Sequence, residues 1–127
     1  MNTPVEHGKL YRTGLLASTD LHAGGILFGY VYREILLFES DQTVVQSFEI
    51  IDTFVQMENE SETLSNQRNT GLYKLNSRGL LELDFQNKRY TGIRCKNIEP
   101  DTLAFNVYFK QLSIQPSSKV FSLEEQI

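Results

Sequence analysis

The stretch Gly71–Phe109, GLYKLNSRGLLELDFQNKRYTGIRCKNIEPDTLAFNVYF, decides the fold class. Short runs in which apolar and polar residues alternate are separated by turn residues at Asn76–Gly79, Gln86–Lys88 and Lys96–Asp101. Because successive side chains of a strand point to opposite faces, this alternation is typical of strands with one buried face. The stretch therefore predicts an antiparallel β-meander.

The alternation also assigns the buried face in two strands of the meander. The residues predicted to point inward are Leu81, Leu83, Phe85, Leu103, Phe105 and Val107. In the strand Arg89–Cys95 the alternation is less regular, and both faces remain open as the buried one: the face of Ile93, or the face of Tyr90 and Arg94. Gly92 is the candidate position for a bulge in this strand.

The rest of the chain continues the pattern of short strands. Residues 1–8 are predicted to form a flexible lead, and 51–69 interrupt the alternation, which predicts an irregular segment or short helix followed by a polar loop. Further strands are predicted at Lys9–Ser18, Ile26–Phe38 (bent near Gly29), Thr43–Ile50 and Val120–Glu125, with a loop at Thr19–Gly25. About eight strands with short connections predict one all-β domain over residues 1–127. An up-and-down barrel is favoured, with a two-sheet sandwich as the alternative.

Composition narrows the classes of function. The net charge of −4 argues against a general nucleic-acid binder, which usually carries a basic patch. Cys95 is the single cysteine, so no intrachain disulfide can form, and no signal peptide or membrane-spanning segment is recognised. We therefore expect a cytoplasmic protein without a membrane span. His7 and His22 lack partners at metal-ligand spacing, and no catalytic motif is visible. The sequence thus predicts no metal, no cofactor and no enzymatic activity.

Several phrases of the sequence together resemble the lipocalin-like, or calycin, family of small barrels. They are Lys9–Arg12, Tyr32–Val44, Gly71–Leu75, Tyr90–Ile93 and Asp101–Leu103. Gln42 stands where the family pattern prefers glycine. The resemblance covers most of the chain at the level of pattern. It implies a barrel that binds a small ligand or a partner protein.

The aromatic strands are the strongest indication of a site. Together with an inward arginine that would pair with a carboxylate, they predict a small apolar or amphipathic ligand inside the barrel. The candidate ligand-binding residues are Phe28, Tyr30, Tyr32, Arg33, Tyr73, Tyr90, Arg94, Phe105 and Tyr108. The alternative is a solid-packed barrel that serves as a protein-interaction or scaffold module, or as a homodimer. Its candidate contact regions are Ile26–Tyr32 and the acidic loop at 58–62.

Overall fold

The architecture is an antiparallel sheet of nine strands. A computed structural model describes residues 8–21, 27–39, 42–53, 64–95, 101–110 and 116–123. The strands are β1 (Leu10–Thr13), β2 (Leu16–Leu21), β3 (Leu27–Phe38), β4 (Thr43–Thr53), β5 (Asn69–Leu75), β6 (Leu81–Asp84), β7 (Lys88–Cys95), β8 (Thr102–Phe109) and β9 (Ser117–Leu123). In the described segments there is no helix long and apolar enough to cross a membrane.

Eight of these strands close into a barrel. From β3 to β9 each strand pairs with its neighbour in sequence, and β1 pairs with both β9 and β3. Tyr11 of β1 lies between Leu123 of β9 and Leu36 of β3. β2 extends the sheet along the other half of β3, where Leu16 is opposite Tyr32. The predicted all-β antiparallel barrel is confirmed, and the sandwich alternative is not what the chain forms.

The boundaries differ from the predicted ones at the start of the chain. The single strand predicted over residues 9–18 is two strands, separated at Gly14 and Leu15. The Thr13 hydroxyl donates a hydrogen bond of 2.8 Å to the Gly14 carbonyl, and β2 then runs to Leu21, into the predicted loop. The local alternation could not reveal this break, because both pieces pair with the same long strand β3.

Other predicted segments fall partly outside the described residues. β4 continues to Thr53, Leu64 and Ser65 form a helical turn, and the acidic loop at 58–62 lies outside the described part of the chain. So does most of the predicted lead at 1–8, whereas β9 begins at Ser117, before the predicted start of the last strand. Gln42, where the family pattern prefers glycine, has a left-handed backbone with φ of 71°.

The bulge predicted at Gly92 is wrong. The register between β7 and β8 is continuous from Lys88 to Cys95. Gly92 is needed for a different reason. The backbones of β7 and β8 approach each other so closely at this position that a Cβ on Gly92 would overlap the Ala104 carbonyl oxygen. The register instead shifts between β3 and β4, where Val31 is opposite Asp52 but Tyr32 is opposite Ile50.

The barrel interior is an aromatic and aliphatic core. All six residues predicted to point inward are buried, and β7 turns its Tyr90 face inward while Ile93 is 51 % exposed. The remaining buried apolar side chains are Tyr11, Leu36, Phe38, Val44, Tyr73 and Phe121. Each large apolar side chain removed from water contributes about 1.5–3 kcal/mol before entropy is counted. Because these contacts join strands distant in sequence, the core holds the closed barrel together.

The two ends of the barrel differ. At the end where β3 turns into β4, which we call the closed end, the Tyr73 hydroxyl donates to the Glu39 carbonyl at 2.7 Å. Arg94 also lies at this end and holds Asp101 through Nε and Nη2. At the opposite end, which we call the open end, the inward positions of Tyr32 and Phe48 are only half-buried. Among the described residues, the interior is therefore less completely covered at the open end than at the closed end.

Candidate functional site

A buried carboxylate lies in the middle of the barrel. Glu34 of β3 is fully buried and shares its face with Leu36 and Phe38. Its Oε2 accepts hydrogen bonds from the Tyr90 hydroxyl and from Gln46 Nε2, the latter at 2.8 Å. Its Oε1 accepts a hydrogen bond from the Lys119 ammonium group. Three donors from three different strands therefore converge on one side chain.

The network extends beyond Glu34. Gln46 Nε2 also donates to the Tyr90 oxygen at 2.8 Å, and Gln46 Oε1 accepts from Asn69 Nδ2 at 2.9 Å. The Glu34 backbone N–H donates to the Thr13 hydroxyl at 3.0 Å. Each of these side chains lies on the inward face of its strand, as the period of two along a strand requires. Side chains from β1, β3, β4, β5, β7 and β9 therefore meet at one polar centre. We call Glu34, Gln46, Tyr90 and Lys119 the polar network.

This arrangement is costly for folding. Removing a carboxylate and an ammonium group from water costs several kcal/mol per ion, and the attraction between the two charges does not always offset this cost. Replacing such a pair with apolar residues of similar volume often leaves stability unchanged or raises it. A buried carboxylate that is bonded to three donors inside an otherwise apolar barrel is therefore the candidate functional site.

A second lysine faces the network. Lys88 of β7 is half-buried, and its Nζ lies 5.7 Å from the ring centroid of Tyr90, as does Nζ of Lys119. Among the described residues, the ammonium group of Lys88 has no hydrogen-bond or ion-pair partner, although the Lys88 carbonyl accepts a hydrogen bond from the Phe85 N–H. Two ammonium groups thus surround Glu34, and burial lowers the pKa of Lys88, with Glu34 opposing this shift and Lys119 adding to it.

The same charges act on the tyrosines. Burial raises the pKa of Tyr90 far above its ordinary value, and the negative charge of Glu34 and its hydrogen bond raise it further. Burial also raises the pKa of Tyr32, with contributions from Glu34 and Tyr30. Both phenols therefore remain neutral at physiological pH and act as hydrogen-bonding groups, not as anions.

Aromatic rings lie on both sides of the polar network. Towards the open end, Tyr32 contacts Tyr30 and Phe48, with ring centroids 5.7 and 6.0 Å apart. On the other side, the rings of Phe105 and Phe121 pack against Tyr90 at centroid distances of 5.7 and 6.3 Å and form a floor. Phe85, whose N–H is bonded to the Lys88 carbonyl in the turn between β6 and β7, contacts Tyr90 at 5.5 Å. The polar network therefore stands between the floor and the half-buried rings of Tyr32 and Phe48.

The structure brings some of the predicted site residues together. Tyr30 and Tyr32 lie at the open end, Tyr90 belongs to the polar network, and Phe105 is part of the floor. Tyr73 is buried at the closed end. Phe28 lies in β3 opposite Asp20, and its side chain is outside the part of the chain that the structure describes.

The other predicted residues lie away from this group. Arg33 follows the alternation of β3 and takes the outer face, because its neighbour Glu34 points inward. Tyr108 is on the outer face and 44 % exposed. Arg94 is bound to Asp101 at the closed end. Among the described residues the positive charges nearest the polar network therefore come from Lys88 and Lys119, and not from the arginines that the sequence suggested.

Glu34, Gln46 and Lys119 were not among the site residues predicted from the sequence, although the first two are marked by a recognisable pattern. Glu34 and Gln46 occupy inward positions of their strands, between apolar residues of the same face such as Leu36 and Val44. A polar residue inside an otherwise apolar period-two face is unusual and marks a buried polar group. Lys119 gave no such signal, because its partner is distant in sequence.

Comparison of the chain with family models, curated proteins and solved structures gives no match. Within the described ranges there is no group of three or more metal-binding side chains of the His, Cys, Asp and Glu types. We therefore infer a function from the polar network and its surroundings.

Proposed function

We propose that this protein is a non-enzymatic binding barrel that holds a small amphipathic ligand at the open end. The observation that carries the proposal is the polar network together with the neighbouring Lys88, because fixed hydrogen-bonding groups and two ammonium groups lie next to half-buried aromatic rings. Ligand sites combine apolar walls with a few convergent polar groups in this way.

The surroundings of the network limit the size and charge of the ligand. The aromatic rings of the floor pack against Tyr90, so we expect a short apolar chain to fit better than a long one. Lys88 and Lys119 together outweigh the single charge of Glu34, and Lys119 is already bonded to it. Lys88 is therefore the group that would pair with an anionic head, while Tyr32 and Phe48 would contact the apolar part.

A calorimetric titration with hexanoate tests this proposal. Phe48→Trp adds bulk at the open end, whereas Val120→Trp adds the same bulk on the outer face, where Val120 is 53 % exposed. We expect Phe48→Trp to weaken hexanoate binding by about tenfold or more and Val120→Trp to leave it unchanged. Absence of binding by the unmodified chain, or equal losses in both variants, would contradict the proposal.

Native mass spectrometry of the purified protein provides a second measurement. A ligand held at the open end should remain as a defined mass on the intact chain and should be lost on denaturation. Its mass and charge would identify its chemical class directly. The same spectrum reports whether the chain is a monomer or a dimer.

A protein-interaction module is the second candidate function. A row of apolar side chains crosses the outer face of β7, β8 and β9, in which Ile93, Ala104 and Val120 are directly opposite one another. Ile93 and Val120 are about half exposed. If a second copy of the chain covers this row, Val120→Asp should abolish a dimer seen by sedimentation, whereas Leu72→Asp, on the outer face of β5, should not. A purely monomeric chain would argue against this candidate.

A further inference from the structure

Lys88 differs from the other lysines of the barrel in its surroundings. Lys119 is bonded to Glu34, and Lys110 is bonded to Asp84 and to the Phe85 carbonyl. Lys88 is half-buried over the face of Tyr90 and has no such partner among the described residues. Among the described residues its amine is therefore not held by a carboxylate, and the residue remains partly exposed.

The groups that face Lys88 come from several strands. Glu34 of β3 carries the only negative charge in the polar network, and its oxygens already accept from Lys119, Tyr90 and Gln46. Lys119 of β9 contributes a second positive charge on the same Tyr90 ring. Burial and this neighbouring cation lower the pKa of Lys88 despite Glu34. Partial burial and a second cation are the two devices by which proteins make a lysine nucleophilic.

We propose that Lys88 captures small aldehydes as imines at the open end of the barrel. The lone pair of the neutral Nζ attacks the carbonyl carbon and forms a C–N bond, while the carbonyl electrons move to oxygen. A proton passes from nitrogen to this oxygen and gives a carbinolamine. Loss of the hydroxyl group as water then forms the C=N bond. One amine and one aldehyde thus yield one imine and one water, with no oxidant or reductant.

The geometry favours aldehydes with a short apolar tail. Tyr32 and Phe48 provide aromatic surface on the same side of the network as the half-buried amine. Phe105 packs against both Tyr90 and Phe121, so a longer tail would have to displace these rings. The capture is stoichiometric and uses the same amine that would pair with an anionic head, so the assay contains no hexanoate and its outcome is read separately from hexanoate binding.

The experiment measures the reactivity of each lysine separately. The intact chain is incubated with propanal and cyanoborohydride, which reduces any imine to a stable propyl amine, and peptide mass spectrometry quantifies alkylation over time. Lys74, an exposed lysine on the outer face of β5, is the internal reference. At about pH 7 we expect Lys88 to react at least about threefold faster than Lys74, because a lower pKa leaves more neutral amine. A smaller ratio would overturn the proposal.

Variants separate a charge effect from simple accessibility. Lys119→Met removes the neighbouring cation and leaves Glu34 available to Lys88, so it should slow the reaction of Lys88, whereas Lys119→Arg keeps the charge and should not. Glu34→Gln removes the anion and should accelerate the reaction. A reaction of Lys88 that accelerates in Lys119→Met would show that loosening of the interior governs it and would overturn the proposal. Circular dichroism establishes that each variant is folded, and Lys88→Arg should carry no adduct at this position.

Discussion

Tyr90 of β7 donates its phenolic hydrogen bond to Oε2 of Glu34 on β3, and both side chains are fully buried. The two residues are 56 positions apart, and β4, β5 and β6 lie between their strands in the sheet. The bond therefore crosses the barrel interior and is formed only when the sheet closes. It makes the polar network a property of the folded barrel and not of any local segment.

Removal of the Tyr90 hydroxyl should measurably destabilise the protein. Tyr90→Phe keeps the ring contacts with Phe85 and Phe105 but deprives Glu34 of one donor and Gln46 of one acceptor. We expect the free energy of unfolding to fall by about 1–3 kcal/mol, as measured in urea. Tyr108→Phe, at an exposed position of the outer face, is the matched control and should change it by less than ~0.5 kcal/mol. Equal effects of the two substitutions would contradict the structural role of the bond.

Alkaline pH should weaken the fold through the same residue. The pKa of Tyr90 is raised in the folded state, so the native protein keeps a proton that the unfolded chain loses above about pH 10. Its contribution to stability is therefore complete below about pH 10 and is lost as the pH rises above that value. Tyr32 acts with the same sign. The free energy of unfolding, measured in urea at increasing pH, should decline less steeply above about pH 10 in Tyr90→Phe than in the unmodified chain. Parallel plots of this free energy against pH would refute the prediction.

Lys88 should reduce stability at neutral pH, because its pKa is lowered in the folded state. Lys88→Met removes the cost of burying the ammonium group, and we expect a gain of about 1 kcal/mol near pH 7. A lowered pKa means that the cost is present at low pH and disappears as the pH rises towards the unfolded value of about 10.4. The gain should therefore shrink as the pH approaches that value. Lys74→Met on the exposed face should produce no comparable, pH-dependent gain.

Gly92 should be the least replaceable glycine of the meander. A Cβ at this position would overlap the backbone of Ala104, so Gly92→Ala must push β7 and β8 apart. We expect a loss of about 1–3 kcal/mol in the free energy of unfolding. Gly14→Ala is the matched control, because a Cβ there meets no atom within 4 Å. Thermal unfolding of both variants would test the pair, and an unaffected Gly92→Ala would show that the strands can separate at little cost.

The fold could be predicted largely from the alternation of residues. The run Leu81, Leu83 and Phe85 and the run Leu103, Phe105 and Val107 each identify a buried face without reference to the rest of the chain. Turn residues between them specify hairpins, and consecutive hairpins specify the neighbours of each strand. The closure through β1 and the break at Gly14 could not be predicted, because they depend on pairing with the distant strand β3.

The candidate site was predicted in part. The aromatic pattern identified Tyr30, Tyr32 and Tyr90, but it suggested arginines as the charged partners. Alternation alone would have placed Arg33 on the outer face once Glu34 was recognised as inward. The pairing of Glu34 with Lys119 spans 85 positions, and no local signal in the sequence joins them.

The β-class, the order of most strands and the buried face of the meander follow from the sequence alone, because they depend on a period of two that is present in each segment. The set of polar side chains that meet inside the barrel depends instead on the closed fold. Closure of the sheet brings inward positions of distant strands to within hydrogen-bonding distance, and it thereby fixes both the environment of Glu34 and the exposure of Lys88.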